Sequence, residues 1–323
     1  MALRALITGI SGFAGSHLAE QLVAETDLGV WGVSRGGHAH LDHLVDRATF
    51  FSGDLTERAF VDEVLEEVRP DLIFHLAAQA DVLRSWEDPW GTFTTNVLAE
   101  LTLLRALVKR DLDCRVLIVG SAEEYGDVPE ADQPIGEGTP LRPRTPYAVS
   151  KVAQDLLGYQ FFASHGLAVV RVRPFNHLGP RQGEGFVAAD FAKQIAEAEA
   201  GGRPSVVRVG NLSARRDFTD VRDIVRAYRL LLEKGLPGEA YNLGSGVARS
   251  IRELLHGLLA HSSQEVAIES DATRARPSDV PLSVCDAAKL REVTDWWPRI
   301  PFEDTLGDVL QDWRLRIPEK EGA

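Results

Sequence analysis

From residue 4 to about residue 175, short apolar runs alternate with longer stretches whose apolar positions recur every three or four residues. Runs of the first kind read as strands buried on both faces, and stretches of the second kind as helices laid against them. Arg4–Thr8, Val30–Val33, Thr49–Ser52, Asp71–Leu76, Arg115–Val119 and Ala168–Arg173 are the predicted strands. Helices are predicted from the glycine-rich turn after Thr8 to about Glu25, from about Pro89 to Arg110, and onward from Tyr147. Strands alternating with helices imply an α/β fold with a doubly wound parallel sheet, whose ligand site lies at the carboxyl ends of the strands. Beyond residue 178 the rhythm loosens into helical patterns near 186–200, 220–233 and 250–260. Short strands such as Ser205–Val209 and Ala240–Leu243 separate them. This predicts a sheet domain over 1–177 and a smaller α/β capping domain over 178–323, with a return of the chain to the first domain around 210–245.

The first strand opens into Gly9-Ile10-Ser11-Gly12-Phe13-Ala14-Gly15. Glycines spaced in this way allow a tight turn, close approach of backbone to a pyrophosphate, and tight helix–strand packing. Three glycines alone also make an ordinary turn; their place between a strand and a helix argues for a Rossmann-type dinucleotide site. The second strand ends in Ser34-Arg35, where an acidic residue would hold the ribose 2′-hydroxyl of NAD. A Ser-Arg pair suits a 2′-phosphate instead, so NADP(H) is the preferred cofactor, with NAD(H) accommodated. Asp54, before Leu55 at the end of the third strand, is placed to contact the adenine. Leu76, Ala77, Ala78 and Gln79 follow the fourth strand, and small residues there let a cofactor lie against the backbone. Asn96 sits on the long helix that comes next.

Tyr147 and Lys151 are four residues apart and share one helix face. A cation one turn away favours ionisation of the phenol, and such a Tyr can exchange a proton with a substrate oxygen. Ser121, just past the fifth strand, is placed to hold that same oxygen.

A formal charge of −13 argues against nucleic acid or an anionic membrane as a partner. Arg outnumbers Lys, 29 to 6, and several Arg fall late in the chain, which fits a local anion site. Two isolated cysteines, Cys114 and Cys285, and the lack of an export signal or apolar span point to the cytoplasm. His38, His40 and His43 cluster, but no carboxylate or Cys pattern accompanies them and no metal is expected.

Gly9-x-x-Gly12-x-x-Gly15, Asp54-Leu55, His75-Leu-Ala-Ala78, Ser121, Tyr147-x-x-x-Lys151 and Pro174-Phe-Asn176 resemble the extended short-chain dehydrogenase/reductases that act on nucleotide-diphosphate sugars. The resemblance covers nearly the whole chain. It implies that Tyr147 is the acid/base, that Lys151 binds the nicotinamide ribose and lowers the phenol's pKa, and that Ser121 orients the sugar oxygen. It places the dinucleotide against the Gly9–Gly15 turn (Ser11, Phe13 and Ala14 included), Ser34, Arg35, Asp54, Leu55, Leu76–Gln79, Asn96, Tyr147, Lys151 and Pro174. The substrate diphosphate falls to Asn176, Arg216 and Arg276, an arrangement that suits guanidinium forks. The same family pairs its two long helices into a homodimer, which Leu101, Leu104, Leu156 and Phe161 would serve here.

Within that family the branch turns on Ser121-Ala122-Glu123-Glu124-Tyr125-Gly126. The dehydratases resemble Thr-Asp-Glu-x-Tyr-Gly at this run; their middle residue helps expel the C6 hydroxyl and their Glu takes the C5 proton. Ala122 can do neither, although Glu123 remains, either as a base or as a polar wall. The stretches Pro174–Pro180, Gly185–Ile195 (with Val187 and Lys193 toward substrate) and Val209–Asp223 resemble most the reductases of GDP-4-keto-6-deoxy-D-mannose, which make GDP-D-rhamnose. A GDP-mannose 4,6-dehydratase, a sugar 4-epimerase and a non-catalytic dinucleotide binder are the competing readings.

Overall fold

The structure, a computed structural model, describes residues 3–37, 40–201, 204–274 and 280–317. The chain opens with β1 (Arg4–Thr8), α1 (Phe13–Glu25), β2 (Gly29–Ser34), β3 (Ala48–Ser52), α2 (Arg58–Val68) and β4 (Leu72–His75). It continues with α3 (Val82–Glu87), α4 (Pro89–Phe93), α5 (Ala99–Lys109), β5 (Arg115–Val119), α6 (Pro146–His165), β6 (Ala168–Pro174) and β7 (Asn176–Leu178). Next come α7 (Val187–Glu199), β8 (Val206–Val209), β9 (Arg215–Asp220), α8 (Val221–Lys234), β10 (Ala240–Leu243) and β11 (Ala248–Ser250). The last elements are α9 (Ile251–Ala260), β12 (Ala267–Ser270), β13 (Leu282–Ser283), α10 (Ala288–Thr294) and α11 (Phe302–Arg316).

Seven parallel strands form the main sheet in the order β10-β6-β5-β4-β1-β2-β3. The central strands are apolar on both faces because helices cover both. Leu6, Ile73, Val116 and Ile118 pack with α2 and α5, while Ile7, Phe74, Leu117 and Val172 pack with α1 and α8. The chain runs outward through β2 and β3, then crosses back over β1 to lay down β4. The direction of winding therefore reverses between β1 and β4, and a crevice opens above their carboxyl ends.

Past residue 178 the chain contributes to two bodies. One core joins α7, β8, β9, α9 and α11 through Phe191, Ile195, Val207, Leu254, Leu258 and Leu310. Meanwhile β10 pairs with β6 at the edge of the main sheet, α8 packs against α1, and Leu290 and Trp296 enter the sheet's own core.

Between Pro89 and Lys109 the sequence pattern of one long helix is broken by a wide π turn over Thr94–Leu98. Asn96 sits on that turn. Its Oδ1 accepts from the Gln79 backbone N–H at 2.7 Å, and its Nδ2 donates to Gln79 O at 3.1 Å and Ser150 Oγ at 2.9 Å. These bonds tie the helix to the loop after β4 and to α6.

Candidate active site

The crevice above β1 and β4 has a volume of about 310 Å³. Gly9, Ser11, Gly12, Ser34, Arg35, Asp54, Leu55, Leu76, Ala77 and Ala78 line it together. Val33, Gly36, Gly53, Thr95 and Ala99 complete the wall, and apart from the Thr95 hydroxyl they carry no polar side-chain group that a sequence scan would register. A dinucleotide fits these surfaces. Gly9 has φ +72°, and a Cβ there would lie 2.9 Å from the Ala77 backbone, closing the turn onto the β4 loop. Gly12 precedes α1 without a side-chain cap, so the first-turn N–H groups remain for an anion. Arg35 stands exposed at the rim, and its charge helps hold Asp54 below the usual carboxylate range, after the bonds that Thr56 donates to Asp54.

Four of the residues assigned to the cofactor are not among those lining this crevice. Asn96 is fully buried beneath the crevice; its neighbours Thr95 and Ala99 reach the wall instead. The amide of Gln79 is engaged with Asp81 and Thr92. Phe13 stacks on His177 at 5.8 Å, with its edge partner His17 at the same distance. Pro174 is buried where β6 meets β10. Ala14 and Gly15 lie on the first turn of α1; a Cβ on Gly15 would come 2.2 Å from Gly9 O, so this glycine serves helix–strand packing.

The reacting groups converge beside β5 and α6. Thr145 caps α6 by accepting from the Ala148 N–H at 3.0 Å, and Pro146 starts its first turn, which puts Tyr147 at the very front of the helix. Ser121 caps the short turn after β5 and shares a hydrogen bond with the Tyr147 hydroxyl. Lys151 is buried; its Nζ donates to Val119 O at 2.8 Å and lies 6.0 Å from the centre of the Tyr147 ring.

One expectation is reversed here. Burial pushes the Tyr147 phenol above its ordinary value; the bond to Ser121 opposes this, and the charges of Glu123 and Glu124 add to it. The Lys151 cation one turn away does not offset this burial, which also lowers the ammonium itself to about 8. The phenol therefore stands protonated at neutral pH.

Glu123 is exposed above this pair, and its backbone N–H donates to Ser121 Oγ at 3.1 Å. Glu124, passed over at the level of sequence, is fully buried and matters more for geometry. Its Oε1 accepts from the Ser121 N–H at 2.7 Å, and its Oε2 lies 3.2 Å from Arg173 Nε. Arg173 also donates to Asp155 at 2.7 and 3.1 Å and to the Tyr125 hydroxyl at 2.9 Å. Burial and then the Asp155 charge push Glu124 up to about 8.

On the capping side, Asn176 is exposed at the start of β7, whose partner β9 carries Arg216 two residues before Phe218, the residue registered with Asn176. Arg216 Nη1 donates to its neighbour's carbonyl at 3.0 Å. Lys193 is turned toward Glu184, at 2.7 Å, and onto the Trp313 ring, so its ammonium is held between the loop before α7 and α11. Val187 packs on the second core. Arg276 lies outside the described residues, as does His38; His43 pairs with Glu20 at 2.9 Å. No helix among the described residues is long and apolar enough to cross a membrane.

The profile of the GDP-mannose 4,6 dehydratase family matches residues 6–309. The chain belongs to this family. Its relatives include the GDP-6-deoxy-D-mannose reductase of Pseudomonas aeruginosa, 36% identical over 99% of this chain and 100% of that protein. The GDP-mannose 4,6-dehydratase of Vibrio cholerae is 30% identical over 97% of this chain and 94% of its own length. Among solved structures, RMD from Pseudomonas aeruginosa complexed with NADPH superposes with a TM-score of 0.87. It is 35% identical and covers 98% of this chain and 100% of that one. The fold is thus that of the extended short-chain dehydrogenase/reductases, and the dehydratase-family motifs Ser121, Tyr147 and Lys151 meet in space.

Proposed function

We propose that this protein reduces the C4 keto group of GDP-4-keto-6-deoxy-D-mannose to give GDP-D-rhamnose, using NADPH by preference and accommodating NADH. The observation that carries this reading is a complete Ser121–Tyr147 pair next to Ala122. Elimination needs a proton-active side chain where Ala122 stands, whereas hydride transfer at C4 does not. The 36% identity to a GDP-6-deoxy-D-mannose reductase points the same way.

Bound in the crevice, NADPH supplies the hydride. The chain's own residues manage the oxygen. Ser121 donates to the carbonyl oxygen before transfer and to the alkoxide as charge develops, stabilising the transition state more than the ground state. Tyr147 then gives its proton to that oxygen. An alkoxide is a stronger base than a phenolate, so even a phenol raised by burial transfers its proton downhill. Lys151, one turn along α6, is the counter-charge for the phenolate left behind. Asn176, Arg216 and Arg276 are assigned to the diphosphate and Glu123 to a polar wall above the sugar.

Incubation with GDP-mannose and NADP⁺, followed by mass spectrometry, is the deciding experiment. No loss of water from GDP-mannose is expected, whereas the 4-keto sugar with NADPH gains two hydrogens. Clear dehydration of GDP-mannose would overturn the reductase reading in favour of the dehydratase.

The working unit is a homodimer in this reading. Leu98, Val149, Leu156 and Tyr159 stay exposed along the π turn and α6, the helices that the family pairs. Leu104 and Phe161 are absent from that face because they fill the sheet's core. Light scattering should give twice the chain mass; a concentration-independent monomer would remove the dimer.

A further inference from the structure

The strand that carries Arg216 is anchored by the residue next to it. In β9, Asp217 stands opposite Ala248 of β11 and Arg216 opposite Ser283 of β13, while β7 pairs with β9 farther along. Successive side chains of a strand point to opposite faces. Arg216 is half-buried, and Asp217, on the other face, is fully buried. The Asp217 carboxylate meets four donors, all from other segments. Its Oδ1 accepts from the Ser245 N–H at 2.8 Å and the Ser245 hydroxyl at 2.5 Å. Its Oδ2 accepts from the Gly246 N–H at 2.8 Å and the Cys285 N–H at 3.1 Å. Gly244 makes room for the group, since a Cβ there would lie 2.8 Å from Oδ2. Four neutral donors suit an ionised carboxylate. A junction kept only for packing would carry an apolar side chain, because burying a charge is costly.

These donors lead back to the turn that holds Ser121. Ser245 and Gly246 follow β10, the edge strand of the main sheet. On β10, Asn242 Oδ1 accepts from the Tyr125 hydroxyl at 2.7 Å, and Tyr125 ends the short turn that Ser121 caps. Asn242 Nδ2 donates to Ile135 O at 2.9 Å, and Ile135 bridges to Cys285, with its N–H on Val284 O at 2.8 Å. Hydrogen bonds therefore run from the Ser121 turn, through β10 and the segment after β13, to the carboxylate beside Arg216.

We propose that Asp217 is a positioning residue for Arg216: its carboxylate locks β9 to the loop after β10 and to Cys285, and so fixes where the Arg216 guanidinium meets the substrate diphosphate. The proposal rests on the assignment of Arg216 to the diphosphate made above. Because the alternation of the strand sets the two side chains on opposite faces, holding Asp217 inward holds Arg216 outward. The diphosphate does not react, so its contact is the same before and during hydride transfer, and its loss falls on KM rather than on kcat.

GDP carries the diphosphate without a sugar and is the probe, titrated by calorimetry into the full chain. Asp217→Asn keeps the shape but turns an amide NH₂ on N–H donors. It should weaken GDP by about ten- to a hundredfold, the equivalent of one charged hydrogen bond, and leave NADPH affinity in place. KM for the 4-keto sugar should rise by the same factor, with the loss on KM and not on kcat. Arg216→Ala should weaken GDP by a similar amount, and adding Asp217→Asn to it should cost nothing further, since the effect runs through the guanidinium. Wild-type GDP affinity in Asp217→Asn, with Arg216→Ala impaired, overturns the proposal alone. So does an equal further loss in the Arg216→Ala background, or a parallel loss of NADPH affinity, each the mark of a structural role only. Wild-type GDP affinity in Arg216→Ala overturns both the proposal and the diphosphate assignment. If Asp217→Asn does not fold, Ser245→Ala decides, because it removes one donor and leaves three. It should weaken GDP by about two- to tenfold, and an unchanged affinity there overturns the proposal.

Discussion

Asp155 is the residue whose neutralisation should be felt furthest. It is buried and accepts from two guanidinium groups: Arg171 Nη1 at 2.7 and 2.9 Å, and Arg173 Nη2 at 2.7 and 3.1 Å. In Asp155→Asn the shape is kept, but an amide NH₂ is turned on cationic donors and a buried charge loses its partner. Breaking such a pair from one side costs about 3–5 kcal/mol. For a chain of this length each kcal/mol moves Tm by roughly 2 °C, so a fall of roughly 6–10 °C is expected by calorimetry at pH 7. A second effect follows at the active site. The Asp155 charge is, after burial, the main influence holding Glu124 up at about 8. Without it, Glu124 ionises and becomes the counter-charge of Arg173, 3.2 Å away, which draws on the carboxylate that fixes the Ser121 N–H. Turnover should therefore fall in the folded variant with little change in cofactor affinity. A Tm change under about 2 °C with full turnover would refute the claim that these charges are interdependent.

Tyr147→Phe should bind the nucleotide sugar normally and lose about 10²–10⁴-fold in kcat, the usual contribution of a positioned acid; kinetics near the wild-type rate would remove Tyr147 as the donor. Arg35→Ala should weaken NADPH by roughly ten- to a hundredfold, the equivalent of one charged hydrogen bond of about 1.5–3 kcal/mol, and spare NADH. Equal losses for the two cofactors, read by fluorescence titration, would mean that Arg35 does not meet the 2′-phosphate. Burial lowers His75 from 6.5 to about 3, so its neutral form supports the fold above pH 6.5. That support is lost as pH falls toward 3, at about 1.4 kcal/mol per pH unit, because the unfolded chain takes up a proton first. His75→Gln should show a shallower acid slope in denaturant melts, and an unchanged slope would exclude His75 as the source.

The sheet, its glycine turn and the serine–tyrosine–lysine set could all be read along the chain because each rests on local rules. Apolar runs such as Ala5-Leu6-Ile7 become central strands wherever they are covered on both sides, and a helix begun at Thr145-Pro146 must carry Tyr147 and Lys151 on one face. Two glycines beside β1 are likewise legible, since φ +72° at Gly9 and the contact of Gly15 with Gly9 O exclude a side chain. What the tertiary structure decided was electrostatic and directional. Whether Lys151 depresses the Tyr147 phenol depends on how much water both have lost, and burial outweighs the cation one turn away. Asn96 faces inward because a π turn rotates it onto Gln79 and Ser150, a local unwinding that the apolar period does not encode. Glu124, Asp155, Arg173 and Glu100 are far apart in sequence and individually unremarkable as charged residues; only the closing of β4, β5 and β6 over α6 removes them from solvent. Desolvation is a property of the packed chain, so the groups it perturbs are known only when the packing is.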